Sequence, residues 1–299
     1  MRARLGGLLA VVALVAAACG GSNGGSGDSG GSGTPVDVGT PLPANVKSKG
    51  RLAVGVKCDY PPFGYIDEGG KNAGFEIAIA RKFASYAFGK ESAVQLTCVT
   101  GANRVPFLTT NRIDLILATM NYTPERAQTI DFTTPYFSSG VKLLVPKDSP
   151  VASFADLAGK QVVTTNGSTA SIWLSQCMKD VKQVPFGQTS EALTALKHDR
   201  GAAFAQDDTL LVDLAAKNTD LKVVGDSKAP SPWGMGVRKG DKAMLTWVDA
   251  ALAKMQGEDF LWTEFQRAVK DKEVQAQFQQ FLPRPGNALK YPTGSTIKC

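Results

Sequence analysis

Histidine occurs once in the 299 residues, as His198, and that scarcity removes much of enzyme chemistry. A Ser–His–Asp or Cys–His arrangement needs an imidazole beside its nucleophile, and no G-x-S-x-G turn is present to carry a serine. His198 stands in ALKHDRGAAF near a predicted helix end, where a cation facing the last carbonyls is the ordinary role. Cysteine is sparse as well: five residues, at 19, 58, 98, 177 and 299, with no C-x-x-C pair and hence no metal-ligand spacing. There is no Walker loop and no G-x-G-x-x-G after a strand, so no cofactor and no metal are expected. The net charge of +6 comes without a Lys/Arg block or an aromatic–basic repeat. It therefore reads as a scattered, solvated surface rather than a nucleic-acid footprint. No apolar run reaches the ~20 residues that cross a bilayer. These absences point away from catalysis and toward binding.

The longest apolar run, Leu5 to Ala18, is about 14 residues and follows Arg2 and Arg4, the pattern of a secretory signal segment over residues 1–18. It ends in Ala16-Ala17-Ala18-Cys19-Gly20, which resembles a bacterial lipobox, with cleavage before Cys19 and lipid on its thiol; plain secretion is the alternative. Without the two arginines the mature charge is +4. The tract GGSNGGSGDSGGSGTPVDVGTPLP follows. It has little apolar surface to bury, so residues 19–45 are expected to form a flexible tether with a reach of ~25 Å.

A length of 299 residues leaves room for two domains, and 43% hydrophobic content is enough to build their cores. The body alternates strand and helix patterns: RLAVGV, GFEIAIARKFASYAF, AVQLTCV, VPFLTTN and RIDLILAT, then a second series from GVKLLVP and KQVVTT to GAAFAQ and LKVVG. Helical patterns around MLTWVDAALAKMQ, FLWTEFQRAV and VQAQFQQFL close the chain. Such alternation implies α/β units with largely parallel sheets, and the doubled series implies two lobes.

Five segments in order, LAVGVKCDYPPFGYIDEGGKNAGFEIAIA, NRVPFLTTNRIDLILATMNYTPERAQTIDFTTPYF, LAGKQVVTTNGSTASIWL, AAFAQDDTLL and WGMGVRKGD, resemble the family-3 polar amino-acid solute-binding proteins of ABC importers. The resemblance covers about residues 46–285. It implies an α/β, two-lobe periplasmic-binding-protein-like fold (type II), with the chain crossing between lobes near Ser138–Gly140 and near Trp233–Gly236. Lobe 1 would comprise 46–139 and 235–285, lobe 2 140–234, and a tail 286–299.

The ligand the resemblance implies is an amino acid, whose two charges must each be paired when buried. Arg126, in a loop-like turn after an apolar run, matches the family's carboxylate-binding arginine, and a guanidinium supplies the two-pronged donor a carboxylate needs. Thr119 and Asn121 match its neighbours, which bind the ammonium and carboxylate through hydroxyls or backbone. In NGST, Ser168 and Thr169 fit a helix N-terminus that meets the same carboxylate from lobe 2; plain N-capping is the alternative, and the roles can coexist. Asp207 matches the ammonium-binding aspartate, Asp208 pointing instead toward a helix start, and Tyr60 matches an aromatic covering the ligand. Lys57 and Arg104 hold positions expected to face the side chain, while Gly101 replaces a hydroxyl common among acid-binding relatives. Two cations there favour glutamate or aspartate, with their amides, suggested by Asn121 and Gln206, next. Lys57 as a solvated lysine and Arg104 as a tether of lobe 1 are the alternative.

Outside a reducing cytoplasm the four remaining cysteines are expected to pair. Cys58–Cys98 is favoured, because both follow neighbouring lobe-1 strands, which leaves Cys177–Cys299 to staple the tail across lobe 2. The implied protein is a monomeric, lipid-anchored, extracytoplasmic receptor that is not an enzyme and whose partner is a membrane permease. A cyclohexadienyl (arogenate/prephenate) dehydratase-like enzyme on the same scaffold, or a sensing subunit, is the alternative.

Overall fold

The computed structural model describes residues 33–292 and 297–299; the signal segment 1–18, Cys19 and the Gly/Ser tract to residue 32 lie outside the described residues. Two five-stranded sheets with helices on their faces form two lobes. In the first sheet Leu52–Val56 is central, with Val94–Cys98 and Leu115–Leu117 parallel on either side. Gly236–Arg238 and then Ile130–Phe132 extend it antiparallel. In the second, Gln161–Thr165 lies between Lys182–Phe186 and Ala203–Asp207, both parallel to it. Phe137–Pro146 and Leu221–Trp233 complete it antiparallel.

Both sheets are therefore largely parallel but mixed, because one strand in each, Gly236–Arg238 in the first and Phe137–Pro146 in the second, runs against the other four. The reason is the route of the chain. It enters the second sheet on Phe137–Pro146 and leaves on Leu221–Trp233, and two strands that carry a chain out and back at one place run in opposite directions. The exit strand is much longer than the LKVVG pattern suggests, because it continues through two register shifts to Trp233.

The inner parallel strands are largely apolar because helices cover both faces, whereas the outer ones, Val94–Cys98 and Lys182–Phe186, stay partly exposed. Leu115, Ile116 and Leu117 are all fully buried. Helix Phe75–Phe88 buries Phe75, Ile77, Ile79, Phe83 and Tyr86, and ends at Gly89, whose φ of 70° suits the left-handed C-terminal position that glycine adopts without strain. Residues 33–45, expected as tether, lie along this body. The Gly33 and Val36 N–H groups donate to the Gly89 and Tyr86 carbonyls at 2.7 and 2.8 Å, and Val38 and Leu42 pack on the core. Those apolar side chains provide the surface that the preceding Gly/Ser run lacks.

Cys58 is joined to Cys98 across the ends of adjacent parallel strands, where Val56 is in register with Cys98. Cys177 is joined to Cys299, and the Trp173 indole donates to the Lys298 carbonyl at 3.0 Å, fastening the last residues to the second core. Among the described residues no helix is long and apolar enough to cross a membrane.

Candidate functional site

In open α/β sheets the strands' carboxyl ends present loops and helix N-termini to one crevice, where ligands bind. Here both sheets do so. Lys57 and Tyr60 follow the first strand, Gly101 and Arg104 follow Val94–Cys98, and Thr119 and Asn121 follow Leu115–Leu117. From the second sheet come Ser168 and Thr169, after Gln161–Thr165, and Asp207, the last residue of Ala203–Asp207. These side chains, with Gln206, line one cleft of about 370 Å³ including its mouth.

Arg126 borders the cleft and spans it. It sits in a short helix, Pro124–Thr129, and not in a loop; Thr123 caps that helix by accepting the Arg126 N–H at 3.2 Å, and a proline starts it. Its guanidinium donates to the Asn121 carbonyl (2.7 Å) on its own side and to the Gly167 carbonyl (3.0 Å) and Thr169 Oγ1 (3.4 Å) on the other. Although the residue keeps some exposure, desolvation, and then the nearby Arg104, push the guanidinium down to about 9. Its hydrogen-bond acceptors are neutral oxygens, and among the described residues no salt bridge neutralises it.

Asp207 is the complementary case. It is buried, Tyr60 donates its hydroxyl to one carboxylate oxygen at 3.3 Å, and the other oxygen has no partner. Desolvation, with Asp208 adding like-charge repulsion, pushes it up to about 7. Asp208 opens the next helix and accepts the Gly140 N–H at 3.4 Å, at the start of the strand entering the second sheet. Burial raises Tyr60 well above the usual phenol range; its hydroxyl also meets Thr209 at 3.1 Å.

Lys57 lines the cleft but is not available as a free cation: Asp59 holds its ammonium at 2.7 Å. The second Asp59 oxygen accepts the Thr189 N–H at 2.8 Å, at the start of a helix in the second lobe. Arg104 is 4% exposed and donates to the Ala118 and Thr119 carbonyls at 2.5 and 3.4 Å, leaving Nε unpaired. Burial lowers its pKa. Ser168 caps helix Thr169–Cys177 by accepting the Ser171 N–H at 3.1 Å, and Thr169 donates its hydroxyl to Asn121 Oδ1 at 2.9 Å. Asn121 is otherwise committed to the strands that cross between lobes, donating to Ser139 Oγ and the Ser231 carbonyl, both at 3.2 Å. Trp233 donates to the same Ser139 hydroxyl at 2.7 Å.

The lobes also approach closely where glycine faces glycine. A Cβ on Gly101 would lie 2.6 Å from the Asn166 carbonyl oxygen, and Gly167, at φ 71°, needs the left-handed region as well as the space. Asp59 and Glu76 are groups beside the cleft that sequence reasoning missed, whereas Gly101 drew notice only for the hydroxyl it lacks and not for this contact. For Glu76 a signal existed: an acid set between apolar residues in GFEIAIA.

Chemically the cleft brings a half-buried cation, Arg126, and a buried anion, Asp207, to facing walls among hydroxyls and amides, neither in a salt bridge among the described residues. Among the described residues no cluster of His, Cys, Asp and Glu could hold a metal ion.

Two lobes around such a crevice define an extracellular solute-binding fold, and residues 52–263 match the model of the bacterial extracellular solute-binding proteins, family 3; the chain belongs to that family. The chain is 37% identical to a glutamine-binding protein of Geobacillus stearothermophilus, over 70% of this chain and 80% of that one. Among solved structures, the cysteine-binding protein of Campylobacter jejuni superposes with a TM-score of 0.74 at 36% identity, covering 76% of this chain and 92% of that one. An ancestral amino acid-binding protein, a precursor of cyclohexadienyl dehydratase, superposes at 0.69 with 29% identity, over 75% of this chain and 97% of that one.

Proposed function

We propose that this protein is the extracytoplasmic receptor of an ABC importer and that it closes its lobes on a polar L-amino acid carrying a neutral, amide-type side chain, with glutamine the leading candidate. The observation that carries the reading is the pair of desolvated charges, the half-buried Arg126 and the buried Asp207, on facing walls and in no salt bridge among the described residues. A zwitterion satisfies both: its carboxylate takes the two-pronged guanidinium, with the Thr169 helix N-terminus opposite, and its ammonium takes Asp207 under the Tyr60 ring. These groups bind what all amino acids share and carry no side-chain information.

The side-chain choice rests on Lys57 and Arg104. With Lys57 held by Asp59, one of the two cations that favoured an acidic ligand is already neutralised. Arg104 still offers its unpaired Nε to an oxygen acceptor, which an amide supplies. The glutamine-binding relative supports the same choice. The lobes are 46–139 with 235–285, and 140–234, closing about the Asn121–Ser139–Trp233 crossing. Cys19 carries the lipid that holds the monomer near its permease. Receptor, rather than dehydratase, is supported by the binding-protein relatives. A thermal-shift screen of the common amino acids on refolded, ligand-free protein tests the reading: stabilisation by glutamine above all is expected, and stabilisation by lysine or leucine alone overturns it.

A further inference from the structure

Glu76 is a buried carboxylate that the binding reading does not use. It stands in the first turn of helix Phe75–Phe88 with no exposed surface. One oxygen accepts the Thr119 N–H at 2.7 Å and the Tyr136 hydroxyl; the other has no hydrogen-bond partner. Arg104 is its counterpart, buried and with an unpaired Nε. The two charges act on one another. Between Glu76 and the cleft lies Thr119, a β-branched residue held at φ 43°, a conformation such residues rarely adopt. Glu76 grips the N–H of Thr119 while Arg104 takes its carbonyl, so the two charges clamp one residue of the cleft wall from both sides.

We propose that Glu76 sets the side-chain charge that the cleft accepts. It is a positioning residue for Thr119 and the standing counter-charge of Arg104. A neutral amide therefore leaves Glu76 free to titrate as it does in the empty cleft, whereas a carboxylate side chain binds only as Glu76 takes a proton from solvent onto its unpaired oxygen. The inference rests on the ligand reading above.

The groups facing Glu76 are Tyr136, Arg104 and Lys57, and Lys57 is engaged by Asp59. Burial raises the Glu76 carboxyl to about 7, so it titrates near neutrality. The sign follows from the competition for Arg104. An anionic side chain draws on that positive charge, raises Glu76 further and brings a proton in. Affinity for glutamate therefore strengthens, relative to glutamine, as pH falls through 7.

The test is calorimetry on wild type and Glu76→Gln with two probes, L-glutamine and L-glutamate, in buffers of different ionisation enthalpy. Glu76→Gln keeps an acceptor for the Thr119 N–H and removes the charge. In wild type at about pH 8, glutamate is expected to take up close to one more proton than glutamine, and the glutamate-to-glutamine ratio of Kd to rise about tenfold between about pH 6 and pH 8. In the variant both effects should vanish and the ratio at about pH 8 should shift toward glutamate by about tenfold. A merely structural Glu76 would weaken both probes alike. Equal proton counts for the two probes, or a variant ratio within twofold of wild type, overturns the inference and leaves the ligand reading intact. If Glu76→Gln does not fold, the wild-type proton count decides alone. Binding of neither probe overturns both.

Discussion

Replacing Gly101 by alanine adds one carbon atom at the place where the lobes meet. That Cβ would sit 2.6 Å from the Asn166 carbonyl oxygen and 3.1 Å from the Gly167 carbonyl group, against the ~3.3 Å at which carbon and oxygen come to rest. The obstruction is backbone on the far side, so no side chain can swing away, and the lobes must stand off by on the order of 0.7 Å. Overpacking of this size costs about 1–3 kcal/mol, which is a loss of about 5–150-fold in affinity if it acts only in the closed form. Because Gly101 lies outside the left-handed region, alanine strains nothing in lobe 1 itself. The ligand-free protein, free to hold its lobes apart, should keep its melting temperature. Calorimetry with L-glutamine, paired with thermal unfolding of the ligand-free variant, reads both quantities. Binding within twofold of wild type would refute the reasoning, because the closed form would then not need the bare glycine. A ligand-free protein destabilised as much as its complex would refute it too.

Asp207 predicts a pH dependence. Its carboxyl is raised to about 7 when the cleft is empty, chiefly by desolvation, and the ligand's ammonium stabilises the ionised form. Binding below that value must release a proton, so glutamine affinity should fall by up to about tenfold per unit as pH drops below 7, and Asp207→Asn should bind weakly with no such slope. A slope that survives in Asp207→Asn assigns the titration elsewhere. The Cys58–Cys98 link closes a 40-residue separation beside Lys57 and Asp59. Cys58→Ala/Cys98→Ala should lower unfolding stability by about 2–4 kcal/mol in a denaturant titration, and an unchanged midpoint would show that the link constrains nothing.

What was legible in the sequence were features carried by local pattern. The strand–helix alternation, the doubled series and the ordered segments around Arg126, Ser168 and Asp207 all announce themselves within a few residues. What was not legible depends on partners far along the chain. Lys57 read as a free cation because its neighbour Asp59 is one of many surface-like acids in sequence; its orientation is set by Thr189, 130 positions away. Glu76 sits where a helix's first turn welcomes an acid on electrostatic grounds, which hides that it is buried under Thr119. The antiparallel strands escaped because period-2 and apolar patterns report burial, not direction. Residues 33–45 read as tether because Val38 and Leu42 are thinly spread among small residues, and only the surface offered by the folded core makes them bind.

The central claim is that Arg126 takes a ligand carboxylate in a cleft built for a free amino acid. Its most direct test is a calorimetric titration of L-glutamine into unfolded-and-refolded protein, beside the same titration of Arg126→Ala. The account predicts saturable one-to-one binding by wild type and a loss of about 3–5 kcal/mol in the variant, on the order of a thousandfold, because the carboxylate would be buried without its partner. The ligand-free melting temperature should be nearly unchanged, since Arg126 lies at the cleft and outside both cores. Binding by Arg126→Ala within a few-fold of wild type would contradict the account.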